Sequence, residues 1–332
     1  MDTFLAKSIE FGVIFLFGCI GEILTEKSGH LNLGIPGIMC AGAAGGCLGV
    51  KIAVVGSANP VGFLVVLSAI FFACLFAGAL GLIYAFLTVS FRANQNVTGL
   101  AITIFGVGFT SFFINSVVLT DETSSTLLSM AGGKFFNAYL PLFDKMGWFG
   151  KIFFAHGPLV YLAIIIALVS AYMLKRTRIG LNLRAVGENP ATADAAGINV
   201  TAYKYVFILV GSAIAGLGGL CYVMGYMNGI VGAGVDSVVE GIGWLSIALV
   251  IFTLWKPDFA ILGSIVFGAL YIFPNYLSVF FQNVTFDFAT KQLFKIVPYV
   301  VTILVLIFTS IRGKKENQAP ASLGLSYFRE ER

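Results

Sequence analysis

From Gly62 to Phe91 the chain runs without a single charged side chain. About 20 apolar residues in a helix cross the hydrocarbon core of a bilayer. Lipid offers the backbone no water, so only helices and closed barrels can span it. A barrel would show segments of roughly ten residues alternating apolar and polar, and this stretch does not alternate. It is expected to be one transmembrane helix.

Further runs repeat the signal at Ile9–Leu24, Leu31–Val50, Val97–Thr120, Gly157–Leu174, Tyr205–Met227, Gly241–Trp255, Phe259–Phe281 and Gln292–Ile311. Composition agrees: 58% of the residues are hydrophobic and 11% charged, where soluble domains carry about 25% charged residues. The expected fold is all-α and polytopic, with about nine transmembrane helices. The second is expected to be broken or kinked at Pro36-Gly37 and the last kinked at Pro298, because proline removes a helical hydrogen bond. The N-terminus, MDTFLAKSIE, has neither a basic n-region nor a small-residue cleavage site, so the first run reads as a retained span. Domain boundaries follow: residues 1–311 as a membrane domain, with an outer loop at 120–156 and an inner loop at 175–204, then a charged tail at 312–332.

Lys and Arg collect on the cytoplasmic side of membrane proteins. Placing the 175–204 loop inside groups Lys27, Arg92, Lys175, Arg176, Arg178, Arg184, Lys204, Lys256 and the tail, against Lys7, Lys51, Lys134, Lys145, Lys151, Lys291 and Lys295 outside. With nine spans the N-terminus then lies outside. Lys314 and Lys315 are expected to anchor the last helix at the lipid headgroups. The net charge of +4 is a topology signal and does not suggest a nucleic-acid partner.

The inner loop contains a polar island, RAVGENPATADAAGINV, at Arg184–Val200. Asn189 can cap a helix N-terminus, and Pro190 suits the first helical position. Ala191, Ala193, Ala195 and Ala196 favour helix, and Gly197 can close it in the left-handed conformation. A helix of about two turns is marginal alone in water, so a partner protein is expected to hold it.

Chemistry is scarce elsewhere. The sequence has no GxxxxGK[ST], HExxH or GxSxG motif and no Cys/His cluster, and Gly132-Gly133-Lys134 fits none of them. Neither a metal nor a cofactor is expected. Cys19, Cys40, Cys47, Cys74 and Cys221 read as small buried hydrophobes, and His30 and His156 as polar loop residues. Gly42/Gly46, Gly45/Gly49 and Gly225/Gly229 permit close helix approach, either within one subunit or between two. Asp236 and Glu240 fall in an outer connection, as solvated residues or as contacts for a docking partner. In the fourth span Asn96, Thr103 and Thr110 recur every seven residues, with Gly99 and Gly106 at the same interval and Asn115 extending the outer end. Seven residues are close to two helical turns, so these share one small, polar, uncharged face. It either packs on a neighbour or lines a conduit suited to a neutral polar solute.

Three segments carry a family resemblance. Glu188-Asn189-Pro190-Ala191-Thr192-Ala193-Asp194-Ala195-Ala196-Gly197-Ile198 resembles the cytoplasmic coupling loop of ABC-importer permeases, in the branch for ribose-type sugars, branched-chain amino acids and nucleosides. Leu24–Gly37, LTEKSGHLNLGIPG, looks like a segment of one sub-branch whose known substrates are nucleosides and, in some members, riboflavin. Arg92–Leu100, RANQNVTGL, is a third match. Pro36 and Gln95 stand where that sub-branch is expected to carry acidic residues. The resemblance implies a multi-pass protein of the bacterial cytoplasmic membrane with no catalysis of its own. It also implies separate ABC ATPase subunits, a second permease subunit of different sequence and a solute-binding lipoprotein of the basic-membrane-protein type. On this reading Glu188, Asn189, Pro190, Ala191, Asp194, Ala195, Ala196 and Gly197 contact the ATPase, with Glu188 and Asp194 setting register. Asn96, Gly99, Thr103, Gly106, Thr110 and Asn115 would line the path. The expected cargo is a nucleoside, with riboflavin or a simple sugar as alternatives. A self-sufficient transporter or channel is the competing class, and no intramembrane charge relay is evident for one.

Overall fold

The computed structural model describes residues 2–55, 59–139, 147–232, 234–280, 287–312 and 318–328, and among these all regular structure is helical. The helices are α1 (Asp2–Glu26), α2 (Ile35–Val54), α3 (Gly62–Ala85), α4 (Gln95–Phe113), α5 (Glu122–Ala131), α6 (Gly147–Phe153), α7 (Pro158–Arg176), α8 (Arg178–Glu188), α9 (Pro190–Ala195), α10 (Val200–Leu220), α11 (Val235–Phe252), α12 (Pro257–Phe280), α13 (Phe288–Phe294) and α14 (Val297–Arg312). Short π-helical segments at Phe86–Ser90, Ile114–Val118 and Cys221–Tyr226 extend α3, α4 and α10.

Eight helices are long and apolar enough to cross a membrane: α1, α2, extended α3, extended α4, α7, extended α10, α11 and α12. The ninth expected crossing is α14, which has 16 residues. It returns the chain to the face that carries α9. Helix α12 starts on that face, where Lys175 at the end of α7 bonds Asp258 at 2.8 Å, and Gln318 is back on it, lining a cavity with Lys27 and Glu188.

Helix α2 lies at the centre, against α3, α10, α4 and α11, while α1 packs on α10, α12 and α11. Large apolar side chains on the outer faces of α3, α4 and α7 are exposed, among them Phe63, Phe71, Ile104, Phe112, Leu168 and Tyr172. In lipid such an apolar exterior is the stable arrangement. Small residues bring the inner helices together: a Cβ on Gly42 would collide with the backbone of Gly216 on α10, and one on Gly49 would lie 2.6 Å from the Ser68 carbonyl on α3. Gly42, Gly45, Gly46 and Gly49 therefore all act within this chain, against α3 and α10.

Several expectations are corrected. Pro36 does not break a helix. It stands in the first turn of α2 behind the N-cap Gly34, where no intrahelical N–H is needed. Pro298 is likewise the second residue of α14. Asp236 and Glu240 are on helix α11 and not in a connection, because α11 starts six residues earlier than its apolar run suggests. His30 and His156 lie in connections between helices, as expected, but are buried there, with exposures of 1% and 2%; His156 Nε2 lies 2.7 Å from the Ile152 carbonyl and Nδ1 3.7 Å from Glu10. The 120–156 segment contains α5 and α6. The cysteines are free, four of them buried and Cys74 half-buried. Expectations placed on Lys145, Lys314, Lys315, Arg329 and Arg332 lie outside the described residues.

Candidate functional site

The polar island folds as its local chemistry predicts. Thr177 ends α7 and caps α8, its Oγ1 accepting the Gly180 N–H at 3.2 Å. Asn189 ends α8 and caps α9: its Oδ1 accepts the Thr192 N–H at 3.0 Å, with Pro190 in the first turn. Gly197, at φ +84, closes α9, and the N–H of Ile198 reaches back to the Ala193 carbonyl at 3.0 Å. A side chain here would strain that left-handed residue. Asn199 then caps α10 through the Ala202 N–H at 3.0 Å. Three side-chain caps in 23 residues make the segment a set of short, separately terminated rods.

Of α9's side chains only Ala193 is buried, against Val186 and Val200. Ala191, Ala195, Ala196 and Gly197 are exposed, as is Glu188 at the end of α8. The helix thus shows a smooth alanine surface to one side. The island's preceding helix, α8, is amphipathic and rests through Leu183 and Val186 on the bundle.

Beneath this platform lies the turn between α1 and α2. A Cβ on Gly187 would strike the Lys27 carbonyl, so α8 and the turn meet backbone to backbone. The loop 31–34 is short of backbone partners, and side chains supply them. Glu22 Oε1 accepts the Asn32 N–H at 3.0 Å and Gln95 Oε1 the Leu31 N–H at 2.8 Å. Tyr84 Oη donates to the Leu31 carbonyl at 2.7 Å and Thr103 Oγ1 to the Leu33 carbonyl at 2.8 Å. Helices α1, α3 and α4 therefore grip one irregular loop, and buried backbone groups are satisfied as they must be. Gln95 accepts here through its carbonyl oxygen, a role that a carboxylate in its place could also fill.

Glu26 is the last residue of α1. It is buried there, as is Glu22 one turn earlier, and Glu26 accepts a hydrogen bond from the Trp255 indole. Trp255 and Leu254 both hold positive φ, at 55° and 56°, uncommon for bulky residues and a sign that the surroundings fix them. Burial, aided by the nearby Lys204 ammonium, pushes the His30 imidazole down to about 3. It is neutral near pH 7. Burial also lowers Lys27, against the opposing pull of Glu188.

The stripe on α4 is real, and most of it is a packing face. Gly99 and Gly106 abut the backbones of Leu33–Gly34 and Gly37, and Thr103 bonds Leu33. Asn96 is exposed at the platform end. Thr110 and Asn115, at the far end, line a cavity of about 220 Å³ together with Asp236 and Ser237 of α11. Asn96 and Asn115 are thus exposed at opposite ends of the stripe, while Thr110 is buried against the outer cavity.

Sequence reasoning missed the two buried glutamates, although their i, i+4 spacing on α1 placed them on one face. It also missed residues 318–328, which lie against the platform and have no periodicity to announce them.

Known proteins resemble this chain over nearly its whole length. Residues 4–306 match the family described as the branched-chain amino acid transport system permease component. A putative glucose ABC transporter permease of Haloferax volcanii, TsgC13, is 30% identical over 98% of this chain and 97% of its own length. The nucleoside ABC transporter permease NupC of Lactococcus lactis is 30% identical over 99% and 98%. The guanosine ABC transporter permease NupQ of Bacillus subtilis is 29% identical over 100% and 98%. No solved structure matches. With its multi-pass helical bundle and a family match over nearly its whole length, this chain belongs to the branched-chain amino acid transport system permease family.

Proposed function

We propose that this chain is the membrane-spanning permease subunit of an ATP-driven ABC importer, and that its cargo is a nucleoside. The observation that carries the role is α9: a six-residue helix, capped at both ends, held to the bundle by one buried side chain and presenting alanines outward. Such a helix loses little side-chain entropy on seating in a partner's cleft. The partner is a separate ABC ATPase on the cytoplasmic side, since this chain carries no phosphate-cradling motif of its own. Glu188, Asn189, Pro190, Ala191, Asp194, Ala195, Ala196 and Gly197 form that contact. Further partners are a second permease subunit of different sequence and an extracytoplasmic solute-binding lipoprotein. The outer end of the α4 stripe, Thr110 and Asn115, is the part of the proposed path that a solute would reach first.

Ala195→Arg tests the role. Uptake and ATPase co-purification should be lost while the protein still inserts and keeps its thermal midpoint; normal uptake removes the assignment. The nucleoside relatives favour the cargo, whereas the Haloferax relative favours a simple sugar. Thermal-shift screening of the cognate binding protein against nucleosides, riboflavin, ribose and glucose separates these, and sugars as the only hits would reverse the choice. Solute flux by the purified chain alone in liposomes, without ATPase or ATP, would instead make it a self-sufficient transporter.

A further inference from the structure

Residues 318–328, QAPASLGLSYF, form no helix yet follow a defined course across the α9 face of the molecule. The Ala321 N–H donates to Glu188 Oε2 at 3.3 Å, and the Ser322 N–H to the Gly187 carbonyl at 3.0 Å, where the Ser322 hydroxyl also donates. The Gly324 N–H then reaches the Gly29 carbonyl at 3.2 Å. Gly29 has φ +86, and a Cβ on it would lie 2.8 Å from Ser322 Oγ. The segment is thus laid over the α1–α2 turn and the last turn of α8 together. Farther on, Tyr327 donates its hydroxyl to Asp194 Oδ2 at 2.9 Å, and its ring packs on the Val186–Ala193–Val200 cluster. The Phe328 ring lies 4.5 Å from the Arg92 guanidinium, which belongs to the α3–α4 connection.

We propose that the C-terminal segment Gln318–Phe328 is a strap that sets the position of α9 relative to the α1–α2 turn, with Ser322 and Tyr327 as its positioning residues. The claim rests on α9 being the ATPase contact. Helix α9 itself supplies little to fix its orientation: one buried side chain, and flanking caps that act along the chain and not across it. The strap supplies the missing cross-ties, joining α9 through Asp194, α8 through Gly187 and Glu188, the α1–α2 turn through Gly29 and the α3–α4 connection through Arg92. The α1–α2 turn in turn leads into the loop gripped by Glu22, Tyr84, Gln95 and Thr103. Displacement of α9 by a partner therefore reaches the interior along a bonded route on which Tyr327 and Ser322 are successive links. Both coupling-loop acids are engaged by the strap, which holds them in register before any partner arrives.

The test uses the full complex with its ATPase and binding protein. A nitroxide on Thr192→Cys reports the mobility of α9; the native cysteines lie within membrane-spanning helices. Truncation after residue 317 and Tyr327→Phe should both sharpen that spectrum. They should lower tritiated guanosine uptake per ATP hydrolysed by about fivefold to tenfold, the range of a modest coupling free energy, with ATPase still co-purifying. Asp194→Ala, which removes the acceptor altogether, should sharpen the spectrum at least as much as Tyr327→Phe, and adding Tyr327→Phe to it should change nothing further, because the Tyr327 hydroxyl has already lost that bond. A purely structural tail would reduce the amount of protein and leave uptake per ATP unchanged. An unchanged nitroxide spectrum on truncation, or additive effects of Tyr327→Phe and Asp194→Ala, overturns the strap. If the spectrum sharpens but Ala195→Arg still binds ATPase and transports, then the reading of α9 has failed and the strap's hold on α9 stands.

Discussion

Where α2 crosses α10, Gly42 faces Gly216 and two backbones touch with nothing between them; where α9 meets the bundle, one alanine is buried and the remaining ties are single hydrogen bonds. The first contact has no slack, because a close-packed interior responds to any added atom. The second is a set of ties each worth about 1 kcal/mol net, and each can be exchanged singly. An importer that must carry a push from an ATPase to a membrane path needs both kinds of region. A stiff frame keeps the helices in register, and a lightly tied platform can move relative to it.

Four substitutions can break or sharpen that contrast. The largest effect is expected from Gly42→Leu, which forces a side chain into the Gly216 backbone. Overpacking typically costs about 1–3 kcal/mol, and here no flexible neighbour can yield. The protein should fail to accumulate in the membrane; wild-type amounts with a wild-type melting curve would show that the frame is softer than its geometry. Next is Trp255→Phe, which leaves the buried Glu26 oxygen without its indole donor, a loss of about 1–3 kcal/mol. A lower thermal midpoint, restored by a second change Glu26→Gln, is the expected signature.

Asn189→Ala should act on the platform alone. Loss of an N-cap costs about 1 kcal/mol, and it should appear as faster amide exchange across Thr192–Ala196 with the global midpoint unmoved. A shift of the whole melting curve would mean that platform and frame unfold as one unit. The smallest effect at neutral pH is a slope that opens only on acidification. The His30 imidazole ionises near 3 when folded and near its ordinary 6.5 when unfolded. The unfolded chain therefore binds the extra proton as pH falls below 6.5, and stability is lost from there down toward 3. His30→Asn should flatten this acid limb in melts between pH 7 and 4. An identical limb in the variant assigns the slope to other groups.

The α9 caps were legible in the sequence because capping is local: Asn189, Pro190 and Gly197 act within five residues of themselves. Membrane spans were legible for a similar reason, since length and apolarity are properties of a segment. Pro36 and Pro298 misled because a proline in the first turn and one inside a helix look alike until the helix start is known. Asp236 falls outside the apolar run because helix α11 begins at Val235, six residues before that run. Glu26 stands beside Lys-Ser-Gly-His and reads as solvated, and only the arrival of Trp255 from a distant turn shows otherwise. Most of the α4 stripe packs inward because α2 begins where it does, and no periodicity on α4 contains that fact. Residues 318–328 are held by five separate parts of the chain, so no local pattern records them.

The brevity of α14 has a consequence for the surrounding lipid. Sixteen residues of helix rise about 24 Å, roughly 6 Å less than the ordinary hydrocarbon core, yet the chain passes from one face to the other here. A span this short is accommodated by a thinner bilayer, by flanking residues that reach the interface or by association with a further helix, each at fractions of a kcal/mol for each ångström of mismatch. Acyl chain length becomes a variable that acts on one flank of the protein and leaves the other indifferent.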